Sequence, residues 1–304
     1  KHTEGSYLDT FEKSVAKYTK RKYGIAVGSG TDALYFALMA KGIGPGSTVL
    51  CPSISYLATA EAIKRTGATI QFVDVDDKGL IGNIPMWGLP SAMVYVNLFG
   101  NLADYDRLKE YCDKHAIPLI EDAAQSLGSF YKKIPSGKLG NISSLSFAPS
   151  KPLPCFGNGG MVLTDSETDR DFVRGLRYHG HGTAKLHHGY NSCLSNDHAN
   201  ILNFLLSKYK KLLGNTSKIR KLYDDKLSKY GISSIQTQKD TISNNHKFVV
   251  KVHDRDNLKA YLETKNIQSQ IHYMTPLPKM KMFYSDEQVP VSYTHLTLPT
   301  NREV

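Results

Sequence analysis

The sequence predicts an α/β protein built on a mostly parallel central sheet flanked by helices. Short apolar runs of strand length alternate with runs of helical periodicity along most of the chain. Glycines and prolines punctuate these runs at close intervals. Polar groups also fall where such sheets bind ligands: the turn Gly28, Ser29, Gly30, Thr31 and the acidic pair Glu121, Asp122 each follow a strand-like run. Open α/β sheets carry their ligands outside the carboxyl ends of the strands.

The elements follow in order. Residues 10–23 (TFEKSVAKYTKRKY) place apolar side chains on one helical face, and Gly24 ends the run. Residues 25–27 read as a strand. After the small-residue turn, 32–41 (DALYFALMAK) reads as a helix stopped by Gly42, Gly44 and Pro45. A strand, small residues and then a helix N-terminus form a site for anions, because free N–H groups and the helix dipole face the ligand. No Gly-Lys-Ser/Thr follows, and G-x-G-x-x-G is not made, so a plain turn is an equal reading. Strands at 48–51, 70–73, 93–97 and 118–120 alternate with helices at 58–66 and 105–115. A strand at 145–147 enters SFAPSKPLPCFGNGG (146–160), and another at 160–164 leaves it. A helix at 170–175, a loop at 178–190 and long helical material at 195–230, interrupted near Gly214 and Asn215, come next. Beyond Gly231 the pattern is strand 247–252, helix 254–264, strand 269–272. This divides the chain into a large domain, 1–193, and a linking helix with a smaller α+β domain, 194–304.

Composition narrows the function. The 304 residues are 40% hydrophobic and 22% charged, and no apolar run reaches the roughly 18 residues of a membrane span. No signal peptide is visible at the start. Cys51, Cys112, Cys155 and Cys193 form no C-x-x-C pair, which reads as reduced thiols in a cytoplasmic protein. The net charge of +10 is spread out, with mild clusters at 208–211 (KYKK) and 218–221 (KIRK) that fall on helical sequence as a solvated face. Without interleaved aromatics they do not point to nucleic acid. His179, His181, His187 and His188 lie in a glycine-rich loop with no acid or cysteine to complete a ligand set. They are expected to border a site mouth rather than hold a metal.

Lys151 sits in a stretch that is neither a good helix nor a clean strand. Two prolines and three glycines follow within nine residues. This is the setting of a placed amine.

Six ordered segments give the amine a context: SGTDALYFAL from Ser29, PSISYLATAEAI from Pro52, GATIQFVDVD from Gly67, LFG from Leu98, IEDAAQSLGS from Ile120 and SFAPSK from Ser146. Together they resemble the DegT/DnrJ/EryC1/StrS aminotransferases, from about residue 11 to 213 with a weaker tail. These pyridoxal 5'-phosphate (PLP) enzymes have the aspartate aminotransferase-like fold type I and aminate keto groups on nucleotide-linked sugars. The resemblance implies that Lys151 bonds the cofactor covalently and then moves protons. Dehydratases of the family have histidine there, so the lysine favours transamination. Asp122 would keep the ring nitrogen protonated, Gln125 would reach the ring oxygen, and Tyr56 would stack on the ring. Without the resemblance, Asp122 and Gln125 also read as strand-end caps and Tyr56 as core. The phosphate would take N–H groups and hydroxyls of Gly30, Thr31 and Asp32 and the hydroxyl of Ser146, with the Asp32 carboxylate turned away. Asn191 would cross to the partner's phosphate, making the active unit a homodimer with a shared site. The implied partners are a nucleotide-linked keto-sugar and an amino-acid donor, glutamate, with neither nucleic acid nor membrane.

The sequence departs from the family at three places. Cys193 stands where the family has arginine, Asn158 where an acid is common, and His198, Ala199, Asn200 where it has Gln-Ala-Ala. A thiol cannot replace a guanidinium; Arg177 and Lys185 are neighbouring cations. These departures keep a second reading open, a non-catalytic or truncated relative that binds cofactor without turnover. The family has further residues before the first helix and a longer small domain. The final VSYTHLTLPTNREV resembles a translated sequencing-adapter fragment and is expected to be foreign; a divergent Leu-Pro segment and last helix is the alternative.

Overall fold

The computed structural model describes residues 5–84, 88–182, 184 and 186–283. Lys185 and the terminal VSYTHLTLPTNREV lie outside the described residues.

The centre is a seven-stranded sheet with the order β1-β9-β8-β5-β4-β2-β3. Its strands are β1 (Tyr23–Val27), β2 (Thr48–Pro52), β3 (Thr69–Val73), β4 (Ala92–Val96), β5 (Leu119–Asp122), β8 (Ile142–Ser146) and β9 (Gly160–Thr164). Only β9 runs against the others, pairing antiparallel with both β1 and β8. Its first residue, Gly160, therefore lies beside the last residues of β1 and β8: Val27 and Ser146 are its register partners. The stretch after Lys151 is thus returned to the carboxyl edge of the parallel strands.

Helices cover both faces. On one face α2 (Gly30–Ala40), α3 (Ala58–Arg65) and α5 (Glu167–Arg177) pack on Ile25, Val27, Val49, Ile70, Val94 and Ile120. On the other face α1 (Ser6–Tyr18) and α6 (Asn196–Leu227) meet Ala26, Leu145, Met161 and Leu163, while α4 (Tyr105–Lys114) meets Leu50, Met93 and Leu119. Strand alternation produces this split, since neighbours such as Ile25 and Ala26 point to opposite layers. Caps set the helix starts: Ser29, Asp104, Ser166 and Ser195 each accept an N–H of the first turn.

The C-terminal part departs from the sequence reading. Helix α6 runs unbroken through Gly214, because an exposed helical glycine costs only about 1 kcal/mol. Residues 247–252 and 269–272 are not strands; the first makes one isolated bridge, Ser234 to Val250. The short strand β10 (Thr241–Ile242) instead joins β6 (Phe130–Tyr131) and β7 (Ile134–Pro135) in a three-stranded sheet. The helix at the end is α7 (Arg255–Thr264), as expected to within a residue. Leu277 and Phe283 are buried in the core around α2 and α3.

Candidate active site

A cleft of about 850 Å3 opens at the carboxyl edge of the sheet. Gly30, Thr31, Tyr56, Asp122, Gln125, Ser146 and Lys151 line it together, with Asn158. Asp32 and Asn191 do not.

Two consecutive acids have opposite fates here. Glu121 is fully buried and accepts from Asn97, Ser136 and Ser143 and from the N–H groups of Gly137 and Leu139. Its role is to tie β5 to the loop behind the sheet. The next residue points the other way. The Asp122 carboxylate accepts from Thr59 Oγ1 (2.9 Å) and Ala124 N–H (3.1 Å), and burial pushes its pKa up. It makes no ion pair among the described residues. A buried carboxylate without a counter-ion is costly, and a cation placed against it relieves the cost.

Lys151 lies across the cleft, its Nζ 5.6 Å from the Tyr56 ring centroid. Burial lowers the amine's pKa; the Asp122 charge opposes this and the Lys247 charge adds to it. Tyr56 is about half exposed, so it lines the cleft and is not part of the core. Gln125 has a fixed polarity. Its Oε1 accepts the Phe99 N–H (2.8 Å), which leaves Nε2 to donate toward the Tyr273 hydroxyl (3.5 Å).

The start of α2 forms the anion end. Ser29 Oγ accepts the Asp32 N–H (3.0 Å), leaving the N–H groups of Gly30 and Thr31 at the cleft. The Asp32 carboxylate is turned to Arg65 (3.0 Å) and Ser192 Oγ (2.7 Å). Gly30 has to be glycine: a Cβ there would stand 2.5 Å from Ser146 Cβ. The missing Cβ lets Ser146 approach the helix N-terminus closely.

Asn191 is exposed and forms a bridge with Tyr178, away from this cleft. Cys193 lies over Arg177, with its Sγ 3.5 Å from the Arg177 carbonyl oxygen. The Arg177 guanidinium is committed to Glu12 and to Ala26 O (2.8 Å). Among the described residues no group of histidine, cysteine and acid side chains could hold a metal.

Among the lining residues that escaped the sequence reading are His246, Lys247, His272 and Tyr273. Burial and the Lys247 charge push His246 down to about 3 and lower His272, while burial raises Tyr273 to about 12. Lys247 and His272 fall in stretches read as strands, with His246 and Tyr273 just beside them, and no local pattern marks them. The histidines outside the 178–190 loop were the available hint.

The site fits pyridoxal phosphate in three ways. A protonated ring nitrogen supplies the counter-ion that Asp122 lacks. The Gly30 and Thr31 N–H groups suit a phosphate. A half-buried amine with a lowered pKa suits an aldehyde. Fold and cleft thus define a PLP-dependent aminotransferase. The chain belongs to the DegT/DnrJ/EryC1/StrS aminotransferase family, whose profile matches residues 1–300. It is 34% identical over 284 residues to the UDP-2-acetamido-2-deoxy-3-oxo-D-glucuronate aminotransferase of Pseudomonas aeruginosa, covering 90% of this chain and 79% of the relative. It is 35% identical over 293 residues to the UDP-N-acetyl-3-dehydro-alpha-D-glucosamine 3-aminotransferase of Acidithiobacillus ferrooxidans, covering 93% and 79%. The crystal structure of a family aminotransferase from Brucella abortus superposes with a TM-score of 0.92 at 30% identity, covering 98% of this chain and 84% of that one.

Proposed function

We propose that this chain moves an amino group from an amino acid, glutamate first among them, to a keto group on a nucleotide-linked sugar. One observation carries the reading: Lys151, Asp122, Gln125, Tyr56, Ser146 and the first turn of α2 converge on one cleft. The sugar class rests on the two curated relatives, both named for UDP-linked oxo sugars.

Pyridoxal phosphate, when bound, supplies an aldehyde that bonds amines and a ring that holds the electron pair left when a proton leaves the amine-bearing carbon. Lys151 anchors it through Nζ. The same Nζ, when not bonded to the cofactor, would carry the proton taken from the donor's α-carbon, and would serve the keto-sugar in the opposite direction. Burial favours the neutral amine that both tasks need. Asp122, held by Thr59 and Ala124, keeps a ring nitrogen protonated. Gln125 presents an N–H to a ring oxygen, and Tyr56 covers a ring face. Gly30, Thr31 and Ser146 take the phosphate, with Asp32 holding the helix start through Arg65 and Ser192. Asn191, outside its own cleft, serves the partner's phosphate in a homodimer.

The test is spectroscopic. Protein with PLP should show an absorption band in the near visible, and glutamate should bleach it. Lys151→Ala should abolish the band; an unchanged band would refute the lysine assignment. A band that no amino acid bleaches would establish cofactor binding without turnover instead. A stable, PLP-loaded monomer in gel filtration would refute the role of Asn191.

A further inference from the structure

Of the amines lining the cleft, Lys259 is paired with Glu263 at 2.6 Å and Lys151 lies in the field of Asp122. The acid Asp256 on the same wall is beside Arg255, at 3.6 Å. Lys247 has no carboxylate within ion-pair distance among the described residues, although it is half-buried and lines the same space.

Its backbone is fixed. The Lys247 N–H donates to Phe99 O (3.3 Å), on the segment whose Phe99 N–H orients Gln125. Three residues earlier, Asn244 is buried and pinned from several sides. Its Nδ2 donates to Gln125 O (3.0 Å) and Leu127 O (2.9 Å), its N–H donates to Ser129 Oγ (2.9 Å), and its Oδ1 accepts the His246 N–H (2.9 Å). Lys247 is therefore a cation on a rigid mount beside the reacting amine.

Lys247 adds its charge to a cleft already lined by basic groups. Its charge lowers the pKa of Lys151, His246 and His272, and none of these groups offers it a counter-charge. An ammonium kept in a partly desolvated, basic pocket is stabilised by an arriving anion. The reaction supplies one close to the transferred amine, because an amino-acid donor carries a carboxylate on the carbon that bears it. A sugar acid carries another.

We propose that Lys247 is a substrate-binding cation that holds a substrate carboxylate beside Lys151. The inference rests on the aminotransferase reading above. A charge-assisted hydrogen bond of this kind contributes about 1.5–3 kcal/mol, or about 10- to 100-fold in affinity.

The test uses PLP-loaded protein and two unreactive probes, maleate for the donor and glucuronate for a sugar acid, each titrated by calorimetry. Lys247→Met should weaken at least one probe about 10-fold or more, while Lys247→Arg keeps most of the affinity. Loss for maleate alone assigns the donor's carboxylate, and loss for glucuronate alone assigns the sugar's. Equal binding of both probes by Lys247→Met and wild type overturns the proposal, as does a wild type that binds neither. Melting temperature and cofactor absorption confirm that the variants are folded, and Lys247→Gln serves if Lys247→Met does not fold. The aminotransferase reading fails separately, if glutamate leaves the wild-type band unbleached.

Discussion

At the scale of single residues, burial and charge assign the tasks. Asp122 is buried and makes no ion pair among the described residues, and its charge sustains the Lys151 amine; under the proposed function it also serves the ring nitrogen. Asp122→Asn should therefore lower the Lys151 pKa further and reduce the rate of bleaching by glutamate about 100- to 1,000-fold, a loss of about 3–4 kcal/mol; stopped-flow absorbance measures this. An unchanged rate would show that the ring nitrogen is held elsewhere. Gly30→Ala places a methyl group 2.5 Å from Ser146 Cβ, against backbone-bound structure. It should destabilise the protein by about 1–3 kcal/mol and weaken PLP binding, read by thermal melts with and without cofactor. The sequence showed Lys151, Asp122 and Gln125 through the segments around them. It did not show that Asp32's N–H is already taken by Ser29.

At the scale of elements, the local pattern placed nearly every strand and helix of the main sheet, because each is an apolar period read within a short window. It failed where tertiary contacts override a local signal. Gly214 suggested a break, but Thr216, two residues on, donates to the Asn244 carbonyl (3.0 Å) and helps hold α6 on course. A Cβ at Gly214 meets nothing within 4 Å. Gly214→Ala should therefore stabilise the protein by about 0.5–1 kcal/mol, seen as a higher denaturation midpoint with unchanged slope. A destabilised variant would mean that α6 does break there. Residues 247–252 and 269–272 had strand composition but are irregular, and Lys247, Gln270, Ile271 and His272 from them line the cleft. The backbone of 247–252 pairs with Phe99 and Ile235 and not with a sheet of its own.

At the scale of the whole molecule, five basic groups, Lys151, His246, Lys247, Lys259 and His272, share one cleft, and those that burial holds neutral make stability depend on pH. His246 is held neutral, with a folded pKa of about 3 against an ordinary value of 6.5. Between those values the unfolded chain binds the proton and the folded chain does not, so stability is full above about pH 6.5 and falls as the pH drops. The slope from one such group is at most about 1.4 kcal/mol per pH unit. His246→Gln should flatten the urea-unfolding profile between pH 6 and 4 relative to wild type. Parallel profiles would mean that His246 is already charged in the fold.

The sequence by itself determined the α/β architecture and brought Lys151, Asp122 and the glycine turn forward as candidates, because periodicity and short motifs are properties of neighbouring residues. Only the tertiary structure decided that β9 runs backward, that Glu121 and Asp122 serve opposite faces, and that His246, Lys247, His272 and Tyr273 close the cleft. Those outcomes depend on contacts such as Lys247 with Phe99 and Tyr273 with Gln125. Residues so far apart in the chain meet only when the sheet and its helices are packed, and no local window contains both partners.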